Sequence, residues 1–125
     1  MNTVMIVDDH KITRILLKKI LTMNNYNVID DLDNGADVLF KYKQLKPDII
    51  IMDLTMPEQD GLTTTKEVID FDPDAKIIVC SAVNIKEKVV QALKLGAKDY
   101  ILKPINTKDF IDKIKKILTP QEESK

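Results

Sequence analysis

The sequence predicts an α/β fold in which a doubly wound parallel sheet carries helices on both faces. Three observations lead there. Five short apolar runs recur along the 125 residues, and a stretch with helical spacing separates each from the next. Most of the runs are continuous rather than alternating, as strands buried on both faces require. Proline and glycine fall at the junctions between segments and not inside them. Strict alternation of strand and helix joined by right-handed crossovers gives this architecture.

Taken in order, the first run is Val4–Val7, and the stripe Ile12, Ile15, Leu16, Ile20 and Met23 predicts the first helix with that face toward the sheet. Tyr26–Ile29 is the second run, followed by a helix marked by Val38, Leu39, Tyr42 and Leu45. Lys46-Pro47-Asp48 stops that helix ahead of the third run, Ile49–Met52. Leu62, Thr65, Val68 and Ile69 mark the third helix, and Asp72-Pro73-Asp74 separates it from the fourth run, Ile77–Cys80. Ile85, Val89, Ala92 and Leu93 give the fourth helix, with Gly96 where a left-handed C-cap glycine belongs. Tyr100–Leu102 is the fifth run. Asn106 or Thr107 then caps a final helix with the stripe Phe110, Ile111, Ile114, Ile117 and Leu118.

A chain of this length forms one domain, expected over residues 1–119, and can remove roughly two-thirds of its unfolded surface from water. Residues 120–125 have nothing to bury and read as a frayed tail or a linker stub. The apolar fraction of 44% and charged fraction of 31% exclude disorder as the main state. A single cysteine, Cys80, excludes an intrachain disulfide and a cysteine-based zinc site, so a reducing, cytoplasmic setting is expected. The apolar run Ile49–Met52 is far too short to span a bilayer, and the N-terminus lacks signal-peptide character. A net charge of -1 argues against nucleic-acid binding as the main task. Between Val83 and Leu118, however, nine lysines face four acids, which makes either a solvated face or a docking surface for an acidic partner.

The informative residues stand at the strand ends. The first run ends in Asp8-Asp9, the third in Asp53, the fourth in Ser81 and the fifth in Lys103. In an open parallel sheet ligands bind at the carboxyl edge, so neighbouring strands would bring these five side chains together. Each has a plain alternative: Asp9 and Ser81 could cap helices, and Lys103 could be a surface lysine beside Pro104. Together they are harder to explain that way. Two like charges 4 Å apart repel by about 4 kcal/mol at an effective dielectric near 20, so three clustered aspartates call for a cation. A hard divalent ion such as Mg²⁺ fits, since it takes one or two carboxylates and leaves positions for water and phosphate. With Lys103 the three carboxylates and the ion sum to neutrality. The set reads as a phosphoryl-transfer site with a carboxylate nucleophile.

Val4-Met5-Ile6-Val7-Asp8-Asp9, Ile51-Met52-Asp53-Leu54-Thr55-Met56-Pro57, Asp60-Gly61, Ser81-Ala82 and Asp99-Tyr100-Ile101-Leu102-Lys103-Pro104 resemble, in order and spacing, the receiver domain of bacterial response regulators. The resemblance runs from about Thr3 to Leu118 and implies a flavodoxin-like or CheY-like sheet of strand order 2-1-3-4-5. It implies that Asp53 is the phosphoacceptor, served by a sensor histidine kinase or a phosphotransfer protein. Asp9 would bind Mg²⁺ (Mn²⁺ as its substitute) directly, Asp8 through water, with Asp53 and the backbone carbonyl of Thr55 completing the protein ligands. Lys103 would contact the phosphoryl group, while Ser81 and Tyr100 act as the switch. Pro57 and Gly61 would be structural, and Pro104 would follow a cis peptide bond. The output would pass to a protein target through the face made by the fourth helix, fifth strand and fifth helix. The chain would act as a monomer, with dimerisation on phosphorylation as the alternative, and chemotaxis is the first candidate pathway.

Departures from the commonest pattern carry their own expectations. Ser81 replaces the more frequent threonine and keeps the hydroxyl. Thr55 and Val83 offer no carboxylate or amide to orient water, so slow self-dephosphorylation is expected, in a phosphoacceptor rather than a turnover enzyme. His10 is expected to be exposed rather than to carry phosphate, and Cys80 to be an inert hydrophobe. Asp8-Asp9-His10 with Arg14 is reminiscent of receivers joined to a DNA-binding domain, which these residues do not contain. A haloacid-dehalogenase-type phosphatase would want an aspartate at Thr55 as general acid. Flavin binding lacks its phosphate loop. A binding-only receiver leaves five competent site residues without a use.

Overall fold

The structure, a computed structural model, describes residues 1–56, 58–82 and 85–119. Among these residues ten elements alternate: β1 (Thr3–Val7), α1 (Lys11–Met23), β2 (Asn27–Leu32), α2 (Val38–Leu45), β3 (Ile49–Asp53), α3 (Gly61–Phe71), β4 (Ile77–Ala82), α4 (Lys86–Leu95), β5 (Asp99–Lys103) and α5 (Thr107–Leu118). All strand pairs are parallel, and the sheet order is β2-β1-β3-β4-β5, as the resemblance implies. Pro57, Val83 and the tail 120–125 lie outside the described residues, and so do the expectations attached to them.

The apolar runs work because successive strand residues serve opposite faces. Val4, Ile6, Ile49, Ile51, Ile78 and Cys80 point to one side, where Leu17 and Leu21 of α1 and Phe110, Ile111 and Ile114 of α5 cover them. Met5, Val7, Ile50, Met52, Ile77 and Val79 point to the other, under Val38 and Tyr42 of α2, Val68 of α3 and Val89 and Ala92 of α4. β1 and β3 are therefore buried along almost their whole length. Local signals set several ends. Asp60 caps α3 by accepting from the Thr63 N–H at 2.8 Å, and Asn106, not Thr107, caps α5 by accepting from Asp109 N–H at 2.9 Å. Gly96 ends α4 at φ 125, its N–H donating to the carbonyls of Ala92 and Leu93.

Three expectations need correction. The α1 stripe is rotated: Leu17 and Leu21 face the sheet, while Ile12, Ile15, Leu16 and Met23 are exposed, and Ile12 keeps 77% of its surface. α1 is apolar over most of its circumference, so spacing alone does not choose the inward face. β2 continues three residues past its apolar run, because an edge strand leaves room for charge: Asp30 meets Lys41 at 3.6 Å and Asp31 meets Arg14 at 3.2 Å. The capping alternatives fail, too. α1 starts after His10 and α4 after Ile85, without side-chain caps, so Asp9 and Ser81 are not spent as caps.

Gly61 couples this scaffold to the sheet edge. Its N–H donates to the Leu54 carbonyl at 3.2 Å, and a Cβ there would lie 2.0 Å from the Asp53 carbonyl oxygen. Both neighbours are backbone and cannot swing away. Gly61→Ala is expected to destabilise the fold by about 1–3 kcal/mol through overpacking. Urea unfolding measures it, and an unchanged midpoint would show that α3 does not press on Asp53.

Candidate functional site

The strand order brings the polar ends of β1, β3, β4 and β5 to one edge. Asp8 and Asp9 follow β1, Asp53 ends β3, Ser81 lies near the end of β4 and Lys103 ends β5. The register sets their heights, pairing Asp53 with Cys80 and Ala82 with Lys103. Asp8 and Asp53 are each 2% exposed, so both carboxylates are almost fully withdrawn from water. Asp8 is well provided for. One oxygen accepts from the His10 N–H at 2.8 Å and the other from Lys103 Nζ at 3.1 Å. Arg14, a residue that the sequence reading gave no role in the site, donates to the Asp8 carbonyl at 2.7 Å and to Asp31 at 3.2 Å, tying the β1–α1 turn to β2.

Asp53 is held less completely. Its Oδ1 accepts from the Thr55 N–H at 3.3 Å, while Oδ2 stands 3.6 Å from Lys103 Nζ with no hydrogen-bond partner among the described residues. Burial and then the neighbouring Asp8 push the Asp53 carboxyl up from 3.8 to about 6, although Lys103 opposes this. Burial works against the Lys103 ammonium as well, but Asp53 and Asp8 together outweigh it and raise its pKa. Asp9 Oδ1 is a second buried oxygen without a hydrogen-bond partner among the described residues. Carboxylate oxygens of Asp8, Asp9 and Asp53 and a nitrogen of His10 fall within 4.8 Å of one another. Orphaned anionic oxygens converging on one point are the donor set that a cation would satisfy, so the cluster could bind a metal. Beside it opens a cleft of about 430 Å³ lined by Asp9, His10, Thr55, Met56, Asp60 and Lys88.

The remaining residues lie around this centre. Ser81 is fully buried, and its hydroxyl donates to the Ala82 carbonyl at 2.8 Å rather than toward Asp53. Tyr100 is half-buried on β5 opposite Val79, with Lys113 Nζ 4.6 Å from its ring centroid and 2.6 Å from its carbonyl oxygen. The Lys103–Pro104 peptide is cis, as the resemblance implies. Cys80 lies beneath the site in the core, and burial pushes its thiol up to about 12, which makes it unreactive. His10 is exposed, as expected, yet its Nδ1 turns inward, 3.1 Å from Asp9 Oδ1 and 3.4 Å from Asp8 Oδ1. Sequence reasoning also passed over Lys88, which reaches the cleft from α4; nothing in its spacing separates it from the other lysines of that segment.

Because the folded-state value of Asp53 is raised, ionising it opposes folding. The penalty is absent below the unfolded value of 3.8 and complete above about 6. In chelated buffer Asp53→Asn should therefore gain on the wild type as pH rises through that window, reaching on the order of 1–3 kcal/mol. Urea unfolding at a series of pH values measures the difference, and a difference that stays flat would contradict the burial argument.

Comparison with known proteins agrees with this arrangement. The response regulator receiver domain family matches residues 4–115. The chemotaxis protein CheY of Thermotoga maritima is 46% identical over 114 residues, covering 91% of this chain and 95% of that protein. CheY of Bacillus subtilis is 42% identical over 115 residues, covering 92% and 96%. A chain in the crystal structure of the CheX-CheY-BeF3-Mg²⁺ complex from Borrelia burgdorferi superposes with a TM-score of 0.90 at 32% identity, over 95% of this chain and 90% of that one. The chain belongs to the response regulator receiver domain family and is a CheY-like member of it.

Proposed function

We propose that this domain is the phosphoacceptor of a two-component system and that Asp53 takes the phosphoryl group. The observation that carries this reading is the state of Asp53: buried, with one oxygen that has no hydrogen-bond partner among the described residues and faces the Lys103 ammonium at 3.6 Å. An Asp53 oxygen forms the new P–O bond while the donor's P–N or P–O bond breaks. The donor imidazole or acetate leaves with the bonding pair. Mg²⁺ (or Mn²⁺) held by Asp8, Asp9, Asp53 and the Thr55 carbonyl would supply charge neutralisation between the carboxylates and the phosphoryl oxygens. Lys103, already bridging Asp8 and Asp53, orients the acceptor and then neutralises the product. The Ser81 hydroxyl, now on the Ala82 carbonyl, is free to rotate toward a phosphoryl oxygen, and Tyr100 answers beside it.

The donor in this reading is a sensor histidine kinase or a phosphotransfer protein. The α4-β5-α5 face, with the lysine excess, meets a downstream protein. Thr55 offers no side chain able to activate water as a base, so the phosphoryl group persists and the domain is a switch rather than a turnover enzyme. Chemotaxis is the pathway favoured by the likeness to CheY. Among the described residues no helix is long and apolar enough to cross a membrane, and we place the domain in the cytoplasm, where kinases of this class act.

Incubation with acetyl phosphate and Mg²⁺, followed by intact-mass measurement, tests the assignment. One hydroxylamine-labile phosphoryl adduct is expected, absent from Asp53→Asn and from chelated samples. No adduct under any condition, or one that survives in Asp53→Asn, would overturn it.

A further inference from the structure

The amino edge of the sheet, opposite the one that carries Asp53, gathers charge that the chemistry at Asp53 does not use. Lys76 immediately precedes β4 and Lys98 immediately precedes β5; these strands are parallel neighbours, so both lysines stand at the same edge. The Lys98 N–H donates to the Ile77 carbonyl at 2.8 Å, which pins the two segments side by side. α5 packs on the face of the sheet that holds Ile78 and Ile101, and its C-terminal end brings Lys116 and Ile117 to that edge. With Asp99, these residues line a cleft of about 320 Å³. That volume lies within the range of small-molecule sites.

The charges in this cleft do not cancel. Lys76, Lys98 and Lys116 are exposed, and the ion pairs formed among the described residues all use other cations. Asp99 is the acid of the lining, and it is already engaged. Its Oδ1 accepts from the Tyr100 N–H at 2.8 Å and stands 3.5 Å from Lys113 Nζ, outside the cleft. Asp48 and Asp72 feel the Lys76 charge but are held elsewhere, accepting from the Thr3 N–H at 2.8 Å and the Tyr42 hydroxyl at 2.6 Å. Three ammonium groups therefore share one concavity without a counter-charge of their own, beside the apolar surface of Ile117.

Such a set suits a compact polyanion. A nucleic acid needs cations strung along a surface to follow its backbone, whereas these come from three elements and meet at one cleft. The lining holds lysines and no arginine, and an ammonium binds phosphate as a point charge, without the planar fork that matches a carboxylate. We propose that the cleft at the amino ends of β4 and β5 binds a small organic diphosphate, its phosphoryl groups held by Lys76, Lys98 and Lys116 and its organic part against Ile117. The length of β4 and β5 separates this cleft from the carboxyl edge, so an anion here leaves Asp53 and its neighbours open.

Calorimetric titration of the metal-stripped chain with inorganic pyrophosphate tests it, with citrate as the carboxylate comparison. Pyrophosphate should bind at a single site, at least about fivefold more tightly than citrate. Lys76→Gln, Lys98→Gln and Lys116→Gln should each weaken it by at least about fivefold, the loss of one charge-assisted hydrogen bond. Lys115→Gln removes the same charge from an exposed neighbour outside the lining, and it should change the affinity by less than about twofold. Asp53→Asn should bind pyrophosphate as the wild type does. Absence of binding overturns the proposal, and so does an equal loss in Lys115→Gln, which would mean attraction by net charge alone. Citrate binding as tightly as pyrophosphate overturns the phosphate class. Loss of binding in Asp53→Asn would place the anion at the carboxyl edge and overturn this site, while the reading of Asp53 as phosphoacceptor would stand.

Discussion

Like charges held together out of water are the constraint on which the rest of this domain depends. Asp8 and Asp53 are almost fully buried at one end of the sheet, Asp9 stands beside them, and Lys103 is the ammonium that faces two of the three. An isolated chain segment would spread such groups apart. Here they cannot separate, because each is fixed at or just beyond the end of a strand whose position is set by an apolar run packed on both faces. Hydrophobic burial along β1, β3 and β4 thus holds in place an electrostatic arrangement that is unfavourable by itself.

That imbalance explains why the site is poised. Both Asp8 oxygens accept hydrogen bonds, whereas Asp53 and Asp9 each keep a buried oxygen without a partner among the described residues. In the proposed function a cation arriving at the cluster would answer both at once, and a phosphoryl group on Asp53 would change what Lys103 and Ser81 face. Ser81 now spends its hydroxyl on a neighbouring carbonyl, and Tyr100 lies under the Lys113 ammonium on β5. These weak local contacts can be exchanged without disturbing the strands. Local exchange on a stiff sheet is what a two-state switch requires.

Most of this was legible in the sequence because two independent patterns coincide. Continuous apolar runs locate Val4–Val7, Ile49–Met52 and Ile77–Cys80, and the polar residue after each run marks the carboxyl edge, so Asp8, Asp9, Asp53, Ser81 and Lys103 are found without coordinates. The failures have physical causes. α1 is apolar most of the way round, and only packing against Ile6 and its neighbours selects Leu17 and Leu21 over Ile12 and Ile15. The acidic half of β2 carries no apolar signal, since an edge strand can place Asp30 and Asp31 against Lys41 and Arg14. His10 reads as a surface residue, which it is; the direction of its ring is a tertiary fact that no spacing encodes.

Asp8 and Asp53 repel each other in the folded protein, and a divalent ion joining them would relieve that repulsion. A double-mutant cycle with Asp8→Asn, Asp53→Asn and the pair, read by urea unfolding, measures that interaction directly. In chelated buffer above the pH at which Asp53 ionises, the coupling should be unfavourable, on the order of 1 kcal/mol or more, and saturating Mg²⁺ should reverse its sign. A coupling of zero both with and without the ion would contradict this, because two carboxylates that do not sense each other neither store repulsion nor share a cation.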